Sequence, residues 1–354
     1  MNINLLRDLC EMPGVPGREE RVRELIEGEI KGLFDSVETD AMGSLICRRK
    51  PRTSKGTLRK GDAKTLMLLC HMDEIGFYVS SIDEKGFLWV NPAGGFDPRN
   101  LFSRRVLVCA ESGDFKAVMN PGGRPVHISS AEDRKKIPEV KEFFVDTGMT
   151  ATQVNKTFQI GDYIVMDEPF LEIGNKCVSK ALDNRVACWL GIEAVRQLVK
   201  SKTGNACEIV VAFTTQEEVG LRGAKTSSFA VQPDYGIGID VTLACDTPGV
   251  PASESVTTHG KGFALHIKDG SFISDYQMVS EMEKIAKKNR IPYQRSILGA
   301  GGQDGAAAQQ AAAGAKAVGI TVGTRYIHTV TEMIDKKDLK AACDVLAAAM
   351  GAMK

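Results

Sequence analysis

The sequence predicts an α/β protein: a mixed, mostly parallel sheet flanked by helices, with a small β-barrel-like domain inserted into it. Three observations carry this expectation. Short, almost wholly apolar runs such as 65–70 and 210–213 read as strands buried on both faces, as in a parallel sheet. Stretches with apolar residues at helical spacing alternate with such runs. Between residues 76 and 172 the rhythm changes to short strand-like pieces separated by clusters such as N-P-A-G-G and N-P-G-G-R-P, the pattern of a small all-β unit. At 354 residues the chain has room for about two domains. These are expected to be a discontinuous α/β unit, 1–75 and 173–354, and an insert, 76–172.

Taken in order, 5–12 and 19–33 carry helical apolar spacing (Val22, Leu25, Ile26, Ile30 and Leu33 in the second) around the breaker P-G-V-P-G, so the chain opens as a helical pair. Residues 36–49 alternate like a strand, and 65–70 is a strand that ends at His71. Within the insert, 77–82, 87–90, 105–110 and 163–166 read as strands. The α/β rhythm resumes with a helix over 183–199, where Val186, Leu190, Ala194 and Leu198 share a face, a strand over 208–213 and a helix over 221–230. Strands over 235–239 and 264–267, a capped helix over 274–290, an alanine-rich helix over 303–314, a strand over 315–322 and a helix over 336–353 complete the chain.

Forty-five basic and forty-five acidic residues cancel, which leaves no electrostatic footprint for nucleic acid or an anionic membrane surface. Small-molecule or peptide chemistry is expected instead. Nine cysteines, an odd number at irregular spacing with no C-x-x-C pair, suit buried thiols in a reducing compartment, so the expected location is the cytoplasm. The first residues place acids where a signal peptide has its apolar core, and no apolar run approaches the roughly 18 residues of a membrane helix.

Chemistry collects at strand ends. The stretch 210–220 reads V-V-A-F-T-T-Q-E-E-V-G, and in an open α/β sheet ligands bind just past the carboxyl ends of the strands. Glu217 and Glu218 fall there, on neighbouring residues that point in different directions. His71 follows T-L-M-L-L-C, Asp240 ends Y-G-I-G-I, and His328 comes shortly after A-V-G-I-T-V-G, so these residues should share one rim. Asp183, in K-A-L-D-N-R, opens a helix, where a carboxylate suits both the cap and the positive dipole end. Singly, each has an ordinary reading: a packed histidine, a helix cap, a turn former, a solvated acid pair. Together, two imidazoles and several carboxylates form a nitrogen and oxygen ligand set that suits Zn, Co or Mn, and one shared carboxylate would make the site dinuclear.

The segments C-H-M-D-E-I-G, K-A-L-D-N-R, T-T-Q-E-E-V-G-L-R-G-A, G-I-D-V-T, D-T-P-G and R-Y-I-H-T resemble the signature blocks of the TET-type metallo-aminopeptidases, in the same order along the whole chain. These glutamyl, leucyl and lysyl aminopeptidase-like enzymes assemble as tetrahedral dodecamers built from dimers, and their catalytic domain has a zinc-peptidase-like fold. The resemblance implies two divalent ions per subunit, Zn first among them, with Co or Mn compatible. It implies that Asp183 bridges the ions, that His71 and Asp240 complete one site, and that Glu218 and His328 complete the other. Glu217 would be the general base that serves a hydroxide bridging the two ions in cleaving N-terminal residues from peptides, and Asp73 would hold the His71 ring in orientation. N-P-A-G-G-F-D-P-R and P-V-H-I-S resemble the family's inserted dimerisation domain.

The glycine-rich loop L-G-A-G-G-Q-D-G lacks the ending of a phosphate-binding loop and follows no clear strand, so a nucleotide site is not expected. In the family this loop borders the substrate. Gly302, Gln303 and Asp304 are therefore candidate substrate residues; Gln303 stands where the family usually has threonine, which leaves side-chain preference open, and Asp304 keeps the acid. Arg325 and Tyr326 either shape the pocket or close the loop before His328. His127, His259, His266 and a Cys70 nucleophile are weaker candidates. Alternatives to an aminopeptidase are a deacylase or amidase on the same metals, a two-carboxylate glycosidase that would leave both histidines unused, and a non-catalytic assembly subunit.

Overall fold

A computed structural model describes residues 1–354. Its largest element is an eleven-stranded sheet whose centre is four contiguous parallel strands, Glu208–Thr214, Thr65–His71, Tyr235–Leu243 and Lys316–Arg325. Antiparallel strands extend it on both flanks. The hairpin Ser36–Thr39 and Leu45–Arg49 lies beside Glu208–Thr214, so the single strand expected over 36–49 is two strands folded at D-A-M-G. On the other flank come Glu332–Asp335, Lys176–Ser179 and Leu171–Ile173, and Phe263–Lys268 with Tyr293–Ile297 branches from Lys316–Arg325.

The strand Thr65–His71 shows why both faces of this sheet are covered. Leu66, Leu68 and Cys70 point into the major core, against the helices Ile3–Glu11, Glu20–Glu29, Leu182–Ser201, Tyr276–Lys288 and Lys336–Ala352. Met67 and Leu69 point to the opposite face, onto Ala224, Ala307 and Ala308 of the short helices Arg222–Val231 and Gly305–Gln310. Period-two alternation with apolar residues on both sides is the sequence pattern of a doubly covered strand. Small residues on the second face let its helices sit close.

Strands between Gly76 and Met166 close a separate six-stranded antiparallel barrel in the order Gly76–Ile82, Leu88–Ala93, Phe143–Asp146, Gly113–Pro121, Arg104–Ala110 and Tyr163–Met166. It has its own core, built on Phe77, Val106, Val108, Met119, Phe143 and Ile164. Two of its strands, Gly113–Pro121 and Phe143–Asp146, and the capped helix Ala151–Thr157 were absent from the sequence expectation. All nine cysteines are unpaired, eight of them buried, and no helix is long and apolar enough to cross a membrane.

Candidate active site

His71 is the last residue of its strand and stands in register with Thr214, the last residue of the neighbouring parallel strand. Beyond Thr214 the chain turns through Gln216, whose φ of 55° is left-handed. Three successive N–H groups fix that turn by donating to two buried carboxylates. Gln216 donates to Glu19 Oε1 at 3.0 Å, Glu217 to Asp73 Oδ1 at 3.1 Å, and Glu218 to Asp73 Oδ2 at 3.1 Å. These bonds offset the roughly 1–2 kcal/mol that a left-handed non-glycine residue costs. The two glutamates consequently diverge: Glu217 Oε2 lies 3.9 Å from His71 Nε2, whereas Glu218 Oε1 lies 3.6 Å from His328 Nε2. Asp73 faces His71 with both its carbonyl and its carboxylate. The His71 Nδ1 partner at 3.1 Å is the Asp73 carbonyl oxygen, with the carboxylate farther off at 3.5 Å, and that carboxylate mainly serves the glutamate turn.

Asp183 sits at the head of the helix Leu182–Ser201 but does not cap it. Its backbone is extended, its bond to Asn184 is cis, and the capping is done by Asn184, whose Oδ1 accepts the Ala187 N–H at 3.0 Å. The Asp183 carboxylate is thereby free to reach both histidines, Oδ1 at 3.4 Å from His71 Nε2 and Oδ2 at 3.3 Å from His328 Nε2. Asp240 is not at a strand end, because Tyr235–Leu243 continues three residues past it by pairing with Lys316–Arg325. His328 lies three residues beyond Lys316–Arg325, with Tyr326 and His328 both left-handed at φ 60° and 62°.

Ligand-type atoms converge in three overlapping groups, each within 4.8 Å: His71, Glu217 and Glu218; His71, Asp183 and Asp240; Asp183, Glu218 and His328. Burial, then the nearby Asp183 charge, pushes the Glu218 carboxyl up to about 8, and burial holds Glu217 and Asp240 well above the usual carboxylate range. Burial disfavours the imidazolium of both histidines, but facing carboxylates outweigh it: Glu217, Asp183 and Asp73 hold His71 well above its ordinary value, and Asp183 and Glu218 bring His328 up to about 10. Asp183 itself is held low against its burial by the two imidazoles. Crowded buried acids whose charges are offset only by protons and imidazolium are a donor set that divalent cations fit.

The site opens into a cavity of about 680 Å³ walled by Leu221, Lys225, Val241 to Leu243, Ser271, Leu298, Ala300 to Gly302 and Ile327. Gly302 is on this wall. Gln303 and Asp304 are not: both are buried beneath it. Gly238 and Gly319 stand opposite each other on adjacent strands and leave a slot that the Gln303 amide fills, and Asp304 accepts a hydrogen bond from Thr214. Gln303 therefore packs under the wall. Arg325 forms a two-pronged pair with Asp246, at 2.7 Å in each arm, and Tyr326 is half-exposed; neither lines the cavity. The glycine-rich loop does follow a strand, Tyr293–Ile297, contrary to expectation. His127 is exposed, while His259 and His266 are buried elsewhere against Gly323 and against Ser296 and Asp269. Cys70 packs in the core, its thiol pushed well up by burial, which removes it as a nucleophile.

Sequence reasoning missed Glu19 and Glu332, two buried acids that accept backbone N–H groups of the site loops. The only hint in the sequence is an acid four residues after His328, opening the short strand E-M-I-D.

Fold and site together define a peptidase, a hydrolase of peptide bonds. The chain belongs to the M42 glutamyl aminopeptidase family, whose model matches residues 54–345. It is 29% identical over 341 residues to the lysyl aminopeptidase of Pyrococcus furiosus, covering 95% of this chain and 92% of the relative. Among solved structures, a TET aminopeptidase from a marine sediment archaeon, Thaumarchaeota archaeon SCGC AB-539-E09, superposes with a TM-score of 0.93 at 30% identity, covering 100% of this chain and 96% of that one. The TET1 peptidase of Pyrococcus horikoshii, described as able to assemble into a tetrahedron or a large octahedral shell, superposes with a TM-score of 0.86 at 28% identity over 99% of both chains.

Proposed function

We propose that this protein is a dinuclear metallo-aminopeptidase that removes N-terminal residues from peptides. The observation that carries the reading is the Asp183 carboxylate, with one oxygen 3.4 Å from His71 Nε2 and the other 3.3 Å from His328 Nε2, a bridging position between two half-sites. His71, Asp183 and Asp240 would hold one ion; Asp183, Glu218 and His328 would hold the other. Bound there, divalent ions such as Zn, Co or Mn would lower the pKa of water toward neutrality and stabilise an oxyanion.

Glu217 is the general base. Its carboxylate faces the same space as His71 but is not needed to complete either half-site, so it can take a proton from the attacking water and return it to the leaving amine. Burial, which raises the Glu217 pKa, brings a carboxylate closer to the range a base at neutral pH requires. The walls from Val241 to Leu243 and Ala300 to Gly302 would receive the substrate's first side chain.

Glu217→Gln should keep two bound ions and lower kcat by about 10²–10⁴-fold. Full turnover in that variant would refute the role. Comparing a free aminoacyl-anilide with its N-acetylated form tests the exopeptidase reading, since cleavage of the blocked form alone would indicate a deacylase. We read residues 76–172, with the barrel at their centre, as an inserted domain for dimerisation, and the protein as a cytoplasmic homo-oligomer, a dodecamer built from six dimers. The unpaired buried thiols and the assembling relative support this.

A further inference from the structure

Glu332 is the first residue of the strand Glu332–Asp335 and its side chain is only 2% exposed. It is not among the converging ligand-type groups, and it lines a small cavity behind them together with Glu74 and Lys180. Both of its oxygens nevertheless serve the site. Oε2 accepts the N–H of Asp183 at 2.9 Å and Oε1 accepts the N–H of His328 at 2.8 Å. The two donors lie on separate elements, one with extended backbone at the head of a helix and the other left-handed in a loop after a strand. The ladder between Lys176–Ser179 and Glu332–Asp335 joins the neighbouring strands, and the Glu332 side chain extends that link to the two N–H groups themselves. Two hydrogen bonds accepted by the two oxygens of one buried, rigid carboxyl group fix the distance between their donors. Asp73 does the same for the N–H groups of Glu217 and Glu218, so two buried carboxylates hold four site residues by their backbones.

We propose that Glu332 is a positioning residue that sets the separation of Asp183 and His328 through their N–H groups, so that the half-site they share with Glu218 is pre-formed before an ion arrives. This rests on the reading of Asp183 and His328 as metal ligands. Partners of this kind, outside the ligands themselves, change metal affinity by about 10–100-fold when removed.

The test compares Glu332→Gln with Asp338→Asn. Asp338 is a matched control: it is 1% exposed and its carboxylate accepts two backbone N–H groups, of Gly260 and Gly262, both at 2.7 Å, away from the site. In Glu332→Gln the amide keeps one acceptor oxygen but turns an NH₂ donor toward the other N–H. Hydrogen exchange of the metal-free proteins should be at least about tenfold faster at the amides of Asp183 and His328 in Glu332→Gln, and unchanged there in Asp338→Asn. Chelator competition should show the weaker of two zinc affinities falling about 10–100-fold in Glu332→Gln alone. The cobalt(II) absorption spectrum should change in that variant, and kcat on an aminoacyl-anilide should fall with little change in KM. Equal exchange and equal affinity in the two variants would overturn the proposal. Should Glu332→Gln fail to fold, Glu332→Asp, one methylene shorter, is expected to lose affinity in part, and wild-type affinity in it would also overturn the proposal. A wild-type protein that binds no divalent ion would overturn the metallo-aminopeptidase reading and this proposal with it. Normal metal binding with no difference between the variants would overturn this proposal alone.

Discussion

Replacing Glu19 with glutamine should stabilise the metal-free protein above neutral pH. Glu19 is 3% exposed, and burial, followed by the neighbouring Asp73 charge, pushes its carboxyl up to about 7 from an ordinary 4.5. A raised pKa favours the protonated form in the fold. The contribution to stability is fully present below about pH 4.5 and is lost as pH rises through 7. Each pH unit between the two values is worth about 1.4 kcal/mol, so ionised Glu19 costs the fold about 3 kcal/mol at pH 8.5 and about 1 kcal/mol at pH 5. Both N–H groups that Glu19 accepts, from Gly17 at 2.8 Å and Gln216 at 3.0 Å, land on Oε1. A glutamine with its carbonyl oxygen in that place keeps both bonds and carries no charge. Urea unfolding of chelator-treated wild type and Glu19→Gln at pH 5 and pH 8.5 measures the effect. The stability gap should favour the variant and widen by about 2 kcal/mol at the higher pH. A gap that stays constant with pH, or a variant less stable at pH 8.5, would refute the reasoning.

Metal loading should release protons, because ligands bind in their unprotonated forms. At pH 7 the metal-free site holds an extra proton on His328, whose pKa is about 10, and largely one on Glu218, whose pKa is about 8, so these two ligands alone should release about two, and the upward shifts of His71 and Asp240 act in the same direction. Titration calorimetry in two buffers of different ionisation enthalpy counts them, and fewer than one would contradict the assigned ligands. Gly238→Ala would place a Cβ 2.2 Å from Gln303 Oε1 and 2.7 Å from the Gly305 nitrogen. Such overpacking should lower stability by about 1–3 kcal/mol and, by lifting the glycine-rich wall, raise KM; an unchanged Tm and KM would show that the slot is not filled as described.

The parallel centre of the sheet was legible because its strands are buried on both faces and so carry continuous apolar runs, as at 65–70 and 210–213. The barrel strand Gly113–Pro121 was not. Its G-D-F-K-A-V-M-N-P alternates in burial rather than in residue type, with Val118 exposed between buried Ala117 and Met119, and its glycine and N-P ends merged with the surrounding turns. The extent of Tyr235–Leu243 was misjudged because its end is set by the partner strand, which pairs as far as Thr324, rather than by anything local around Asp240. The converging residues other than Asp240 follow or end a strand that the sequence shows as an apolar run, or open a helix, and Asp240 ends such a run although its strand continues past it. Glu19 and Glu332 were unreadable for a physical reason: their task is to accept backbone N–H groups, and an acceptor of that kind leaves no residue type at a fixed spacing on the partner. Asp183 shows the limit from the other side. A carboxylate at a helix start is ordinarily a cap, and only the neighbouring Asn184, which takes over the capping, releases it for other work.

The converging side chains come from five separate places, and the first and last histidines are 257 residues apart (328 − 71). During synthesis, His71, Asp183, Glu217, Glu218 and Asp240 are all made before His328. Until the strand Lys316–Arg325 docks, four acids can gather around a single imidazole, and the second imidazole that faces Asp183 and Glu218 is missing. The last central strand to be made is thus also the one that leads to the second imidazole facing Asp183 and Glu218.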